Sequence, residues 1–153
     1  MQYSLENEAA TEAFGAALFQ VLPEKCLVFL QGDLGVGKTT LVRGFLRAAG
    51  YQGTVKSPTY NIVEEYEIHK RLFLHFDLYR LVDPEELEWI GMRDYLQTQS
   101  VCFIEWPEHG AGYLGEPDMV MHLSNAGEGR KLSITKHPVA VDLNAFALPL
   151  KIA

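Results

Sequence analysis

Cysteine, positive charge and long apolar runs are all scarce in this chain of 153 residues. No apolar stretch approaches the roughly 18 residues of a membrane-spanning helix. The opening segment, with Glu6, Glu8 and Glu12, has neither the basic nor the apolar zone of a secretory signal, so the expected location is the cytoplasm. Only two cysteines occur, Cys26 and Cys102, each in or beside an apolar run and without neighbouring ligands, which excludes a disulfide framework or a zinc site and leaves buried free thiols as the expectation. His69, His75, His109, His122 and His137 form no pair at metal-binding spacing on one helix face, and no structural metal is expected. Thirteen basic against twenty acidic side chains give a net charge of −7, which disfavours broad phosphate-backbone binding to nucleic acid by this chain alone. Any RNA would be held mostly by a partner. Repeats, low-complexity tracts and linkers are also missing, so residues 1–153 are expected to form one domain that buries about two thirds of its unfolded surface.

Against this background Gly32, Asp33, Leu34, Gly35, Val36, Gly37, Lys38 and Thr39 stand out, because glycines spaced by four residues before Lys and Thr describe a phosphate-binding P-loop. Its flanks agree. Leu27 to Leu30 form a continuous apolar run suited to a strand buried on both faces, and Leu41, Val42, Phe45, Leu46 and Ala49 recur at helical spacing until Gly50. The glycines would let the amides of Asp33 to Gly37 wrap phosphates, and the helix start adds about half a positive charge. Lys38 would reach the β- and γ-phosphates, Thr39 would give its hydroxyl to Mg²⁺, and Thr40 would add a phosphate contact.

Ala10, Phe14, Ala17, Leu18 and Val21 predict an opening helix packed beside the P-loop strand, with Thr11 on a different face. Tyr60 to Ile68 and Leu72 to Leu78, joined by His69 to Arg71, predict a hairpin, and so an antiparallel part of the sheet. Asp83, Pro84 and Glu86 spell a helix start, and Gly91 should break that helix. Val101 to Ile104 read as a second buried parallel strand ending at Glu105, and Met119 to Leu123 with Lys131 to Thr135 predict a second hairpin. The fold class is therefore α/β, a three-layer P-loop domain with a mixed parallel and antiparallel sheet flanked by helices.

A P-loop enzyme needs an acid near Mg²⁺, and Asp77 and Glu105 are the candidates. Glu105, at the end of an apolar strand, is assigned to Mg²⁺, directly or through water. Asp77 is read as a water-orienting or Mg²⁺-linked acid, with an ion pair to Arg80 as the plainer alternative. Thr59, one element past the P-loop helix, could close over the γ-phosphate as a switch threonine or simply bond to its own turn. His75 and Arg80, lone polar residues on a strand, are read as satisfying neighbours. No Asn-Lys-x-Asp guanine-reading motif occurs, so ATP is preferred to GTP.

Four segments, GDLGVGKTT at Gly32 to Thr40, SPTY at Ser57 to Tyr60, HFDLYRL at His75 to Leu81 and IEWPE at Ile104 to Glu108, together resemble the TsaE family, also called YjeE, over roughly residues 4–135. The resemblance implies a small, weak ATPase needed for N6-threonylcarbamoyladenosine at position 37 of tRNAs reading codons that begin with A. It would join the TsaB and TsaD pair, of which TsaD is the transferase. By the same resemblance Thr39 and Glu105 match Mg²⁺ ligands and Asp77 the acid needed for hydrolysis. Trp106, beside Glu105, would serve partner contact or the switch; Thr11 lies near the adenine, and Arg130 is a basic residue of the last hairpin. Residues 138–153 match no motif. Two other readings stay open, a small-molecule kinase and a non-catalytic switch in which ATP drives assembly.

Overall fold

The computed structural model describes residues 1–58 and 60–143, together with the backbone of 151–152. Thr59 lies outside the described residues. The chain runs β1 (Gln2–Leu5), α1 (Glu8–Val21), β2 (Cys26–Gln31), α2 (Lys38–Ala49), β3 (Val63–Ile68), β4 (Arg71–Asp77), α3 (Glu86–Trp89), α4 (Met92–Gln97), β5 (Ser100–Glu105), β6 (Met119–Ala126), β7 (Gly129–Lys136) and β8 (Lys151–Ile152). A 3₁₀ turn at Pro107–Gly110 follows β5.

One sheet holds the strands in the order β3-β4-β5-β2-β6-β7-β1-β8. Its centre, β4-β5-β2-β6, is parallel, while β3 and the β7-β1-β8 side run antiparallel. Helices cover both faces, as the three-layer expectation requires. One core joins α1 and α2 to the sheet, with Phe45 edge-on to Phe103 at 4.8 Å and to Phe73 at 5.6 Å. The other places Leu87 and Met92, from α3 and α4, over Leu74, Phe76, Cys102 and Ile104.

Several elements follow directly from their residues. Every residue of β5 is buried, as its unbroken apolar run demands. β2 differs from expectation, since Cys26, Val28 and Leu30 are buried while Leu27 and Phe29 are half-buried beneath the thinner α3–α4 layer. Gly50 caps α2 at φ 112° and donates to Leu46 and Arg47 carbonyls, as predicted. The first hairpin turns on His69 and Lys70, both at positive φ (50° and 65°), a pair of values that suits a tight two-residue turn. Its first strand starts at Val63 rather than Tyr60, because Ile62 takes φ 66° and breaks the extended run.

The opening helix corrects the sequence reading. Thr11 is not on a separate face: Thr11, Phe14, Gly15 and Leu18 form the buried stripe of α1. That stripe packs on α2 rather than simply beside β2, because two glycines let the backbones meet. A Cβ at Gly15 would lie 2.1 Å from the Leu41 carbonyl oxygen, and one at Gly44 would lie 2.1 Å from that of Glu12. Arg43 then clamps the exposed edge, its Nε donating to Glu12 at 2.8 Å and its Nη2 to Glu8. The segment after residue 137 carries no motif, yet Val141 and Leu143 are buried in the α1–α2 core and 151–152 pair with β1.

Candidate functional site

The P-loop sits at the carboxyl end of β2, where the chain must reverse from a buried strand into α2. Gly32, Gly35 and Gly37 take φ of 141°, 77° and 110°, values that side-chain-bearing residues avoid. At Gly32 the approach is tight as well, since a Cβ would come within 2.4 Å of the Leu123 carbonyl oxygen. Gly37 is the N-cap of α2, and no side chain caps this helix. The first-turn amides of a helix have no intrahelical acceptors, so this amino end offers N–H donors and positive potential to an anion.

Lys38 is drawn under the loop. Only 4% of it is exposed, its Nζ donates to the Gly32 carbonyl, and it lies 4.1 Å from the Trp106 ring centroid. Burial pulls its ammonium below the usual lysine range, while Glu105, Asp77, Glu108 and Asp33 act in the opposite sense. Trp106 itself is left-handed at φ 57° and stacks with His109 at 5.4 Å, so the strand end is sharply turned and aromatic.

Beneath the helix start the two predicted acids come together. β4 and β5 are parallel neighbours, and their register sets Asp77 directly beside Glu105. Glu105 is 3% exposed, and its Oε2 accepts the Thr39 hydroxyl at 2.8 Å. The same oxygen lies 2.6 Å from His75 Nε2. Asp77 accepts the Tyr79 amide at 2.9 Å on one oxygen and the Ser57 hydroxyl on the other. It makes no ion pair with Arg80, whose guanidinium instead sits over the Tyr60 ring at 5.7 Å. Ser57 is the first residue of the SPTY segment, and this bond ties it to Asp77.

The remaining candidates meet on the other side of the P-loop. A cavity of about 210 Å³ is lined by Thr11, Thr40, Gly35, Val36, Gly37 and Arg130, among others. Thr11 reaches it because it lies on the packed stripe of α1, and Arg130 because its Nε donates to the Val36 carbonyl at 2.9 Å. Asp33 and Leu34 form the exposed tip of the loop, Leu34 being 70% exposed. His75, expected only to satisfy a neighbour, meets the site acid itself: its contact with Glu105 spans thirty positions and exists only through the β4–β5 register.

Hard oxygen donors of this kind suit Mg²⁺, which takes one or two protein ligands and completes its shell with waters and phosphate oxygens. No group of three or more His, Cys, Asp or Glu side chains that could hold a metal ion occurs among the described residues. The open cradle fits a phosphate chain too, since a Cβ at Gly35 would meet nothing within 4 Å.

Strand, glycine loop and uncapped helix, with acids from adjoining parallel strands beneath them, make this an α/β protein of the P-loop type. Comparison with known proteins narrows the class. The family described as "Threonylcarbamoyl adenosine biosynthesis protein TsaE" matches residues 5–132, and the chain belongs to that family. It is 51% identical over 122 residues to the tRNA threonylcarbamoyladenosine biosynthesis protein TsaE of Haemophilus influenzae, covering 79% of this chain and 77% of the relative. The TsaE protein of a Synechocystis strain is 41% identical over 112 residues, 71% of each chain. Among solved structures, Bacillus YdiB superposes with a TM-score of 0.74 at 25% identity, over 88% of this chain and 83% of that one. No helix among the described residues is long and apolar enough to cross a membrane.

Proposed function

We propose that this protein is a Mg²⁺-dependent ATP-binding protein and weak ATPase that serves threonylcarbamoyladenosine formation in tRNA, acting with the TsaB–TsaD pair rather than as the transferase. Its place in that biosynthesis is the one named for its family and its relatives. One observation carries the nucleotide reading: Thr39 and Glu105 are hydrogen-bonded at 2.8 Å beneath the uncapped amino end of α2.

In this reading the amides of Asp33 to Gly37 and the first turn of α2 bind phosphates. Lys38 leaves the Gly32 carbonyl for the β- and γ-phosphates, a transfer favoured because burial already makes its charge seek a partner. Thr39 and Glu105 would hold Mg²⁺, directly or through water. The ion supplies positive charge beside the phosphate oxygens. Asp77 aligns a water on the γ-phosphorus, the bond to ADP breaks, and inorganic phosphate leaves. Thr59 is assigned the role of switch threonine towards the γ-phosphate. Thr11 and Arg130 flank the adenosine side, and Trp106 meets a partner or moves with the switch. A group supplied by that partner would raise hydrolysis ~10³-fold or more, as arginine fingers do. The expected setting is the cytoplasm, with tRNA reached through the complex.

The test follows the γ-phosphate of ATP with this protein alone and with TsaB and TsaD added, using Lys38→Ala as control. Free phosphate that is stimulated by the pair and lost in the control supports the ATPase. Phosphate on a metabolite overturns it in favour of a kinase, and tight binding without turnover leaves an assembly switch.

A further inference from the structure

His75 lies on β4 two positions before Asp77, so both side chains face the α1–α2 side of the sheet. The ring is 1% exposed, and its neighbours in register are Phe103 on β5 and Glu64 on β3. Its Nε2 is 2.6 Å from Glu105 Oε2, the oxygen that also receives the Thr39 hydroxyl. Oε2 is already the acceptor of the Thr39 hydroxyl, and in the same role towards the ring it takes the hydrogen of Nε2. Nδ1 is buried and has no partner, which selects the same tautomer: a hydrogen there would be an unpaired buried donor and would leave Glu105 with the Thr39 hydroxyl as its remaining donor.

From this geometry we infer that His75 is a positioning residue for Glu105, an inference that rests on reading Thr39 and Glu105 as the cation side of the site. Two donors from rigid elements, the strand β4 and the start of α2, converge on one carboxylate oxygen. They fix the side-chain torsions of Glu105 and leave Oε1 as its uncommitted acceptor. His75 acts through the orientation of Glu105. Removing such an outer partner characteristically weakens metal binding roughly 10- to 100-fold.

Mn²⁺, read by electron paramagnetic resonance, is the probe. It is titrated into the full chain saturated with ADP, and ADP affinity is measured separately in chelator. His75→Phe, which keeps the bulk and removes the donor, should weaken Mn²⁺ binding by roughly 10- to 100-fold and leave ADP affinity in chelator unchanged. His75→Gln, whose amide can donate from a comparable position, should restore most of the loss. In a Glu105→Gln background His75→Phe should do nothing further. Undiminished Mn²⁺ affinity in His75→Phe overturns the inference, as does an equal loss of ADP binding in chelator, which would mark a purely structural role. Failure of the unmodified protein to bind Mn²⁺ with ADP overturns the reading of the site itself.

Discussion

Gly44→Ala sets two effects of opposite sign against each other. In a helix interior the change from glycine to alanine stabilises by about 1 kcal/mol when space is free. Here it is not: the new Cβ would stand 2.1 Å from the Glu12 oxygen and 2.6 Å and 2.7 Å from the Glu12 Cα and carbonyl carbon. All three are backbone atoms of α1, so no side chain can swing aside. Reaching ordinary contact requires α1 to move off α2 by more than an ångström, which loosens Phe14 and Leu18 against the shared core. Overpacking of this kind costs typically 1–3 kcal/mol, and about 2–3 kcal/mol, the upper part of that range, applies when the obstacle is backbone. The net expectation is a loss of about 1–2 kcal/mol, or roughly 2–8 °C in Tm for a chain of this size. Thermal unfolding followed by circular dichroism measures it. Because Thr11 rides on the displaced helix and lines the 210 Å³ cavity, ATP affinity should fall with stability. A variant more stable than the parent would show that the helices separate freely and would refute the argument.

Three other predictions concern the site and the core. Asp77→Ala should lower partner-stimulated hydrolysis by about 10²-fold or more with ATP binding retained, and unchanged turnover in a phosphate-release assay would remove Asp77 from its role. Arg130→Ala removes the charge-assisted bond to the Val36 carbonyl, and a contact worth about 1.5 kcal/mol predicts roughly tenfold weaker ATP binding by calorimetry. Unchanged affinity would show that the last hairpin does not brace the loop. Burial pushes the Cys26 thiol from 9.0 up to about 12, with Asp118 adding to the shift. The folded state therefore holds this proton more tightly than the unfolded chain, and the associated stability is complete below pH 9 and lost as pH rises towards 12. Melts should show Tm falling above pH 9, less steeply in Cys26→Ala, and an identical slope in the two proteins would contradict it.

The parts of the fold that were legible in the residues are those with dense, local signals. β5 is an unbroken apolar run, α2 keeps its helical spacing between two glycines, and the glycine loop joins β2 to α2 in the only order that makes a phosphate cradle. Asp77 and Glu105 were readable as strand-end acids, and the parallel β4–β5 register does bring them side by side. Other features depend on distant partners. β1 has only Tyr3 and Leu5 facing inward, too few to register as a period. Thr11 looks like a surface residue until the Gly15 and Gly44 crossing draws its stripe into the core. A glycine that permits helix contact reads in sequence as a helix weakener. α4, six residues after Gly91, carries one buried side chain, Met92, and so has no amphipathic period to read. A lone histidine on a strand carries no spacing signal, and only the sheet order reveals that the neighbour His75 satisfies is Glu105. Val141 and Leu143 are likewise two apolar residues in a segment without motif.

In the proposed function the Thr39–Glu105 pair under α2 is the Mg²⁺ side of an ATP site. Equilibrium binding of a fluorescent ATP analogue, with and without Mg²⁺, in the unmodified protein and in Thr39→Val, tests it most directly. Mg²⁺ should strengthen binding in the unmodified protein, and this effect should largely disappear in Thr39→Val. Binding that ignores Mg²⁺ in both proteins, or a Mg²⁺ effect undiminished by the substitution, would contradict it.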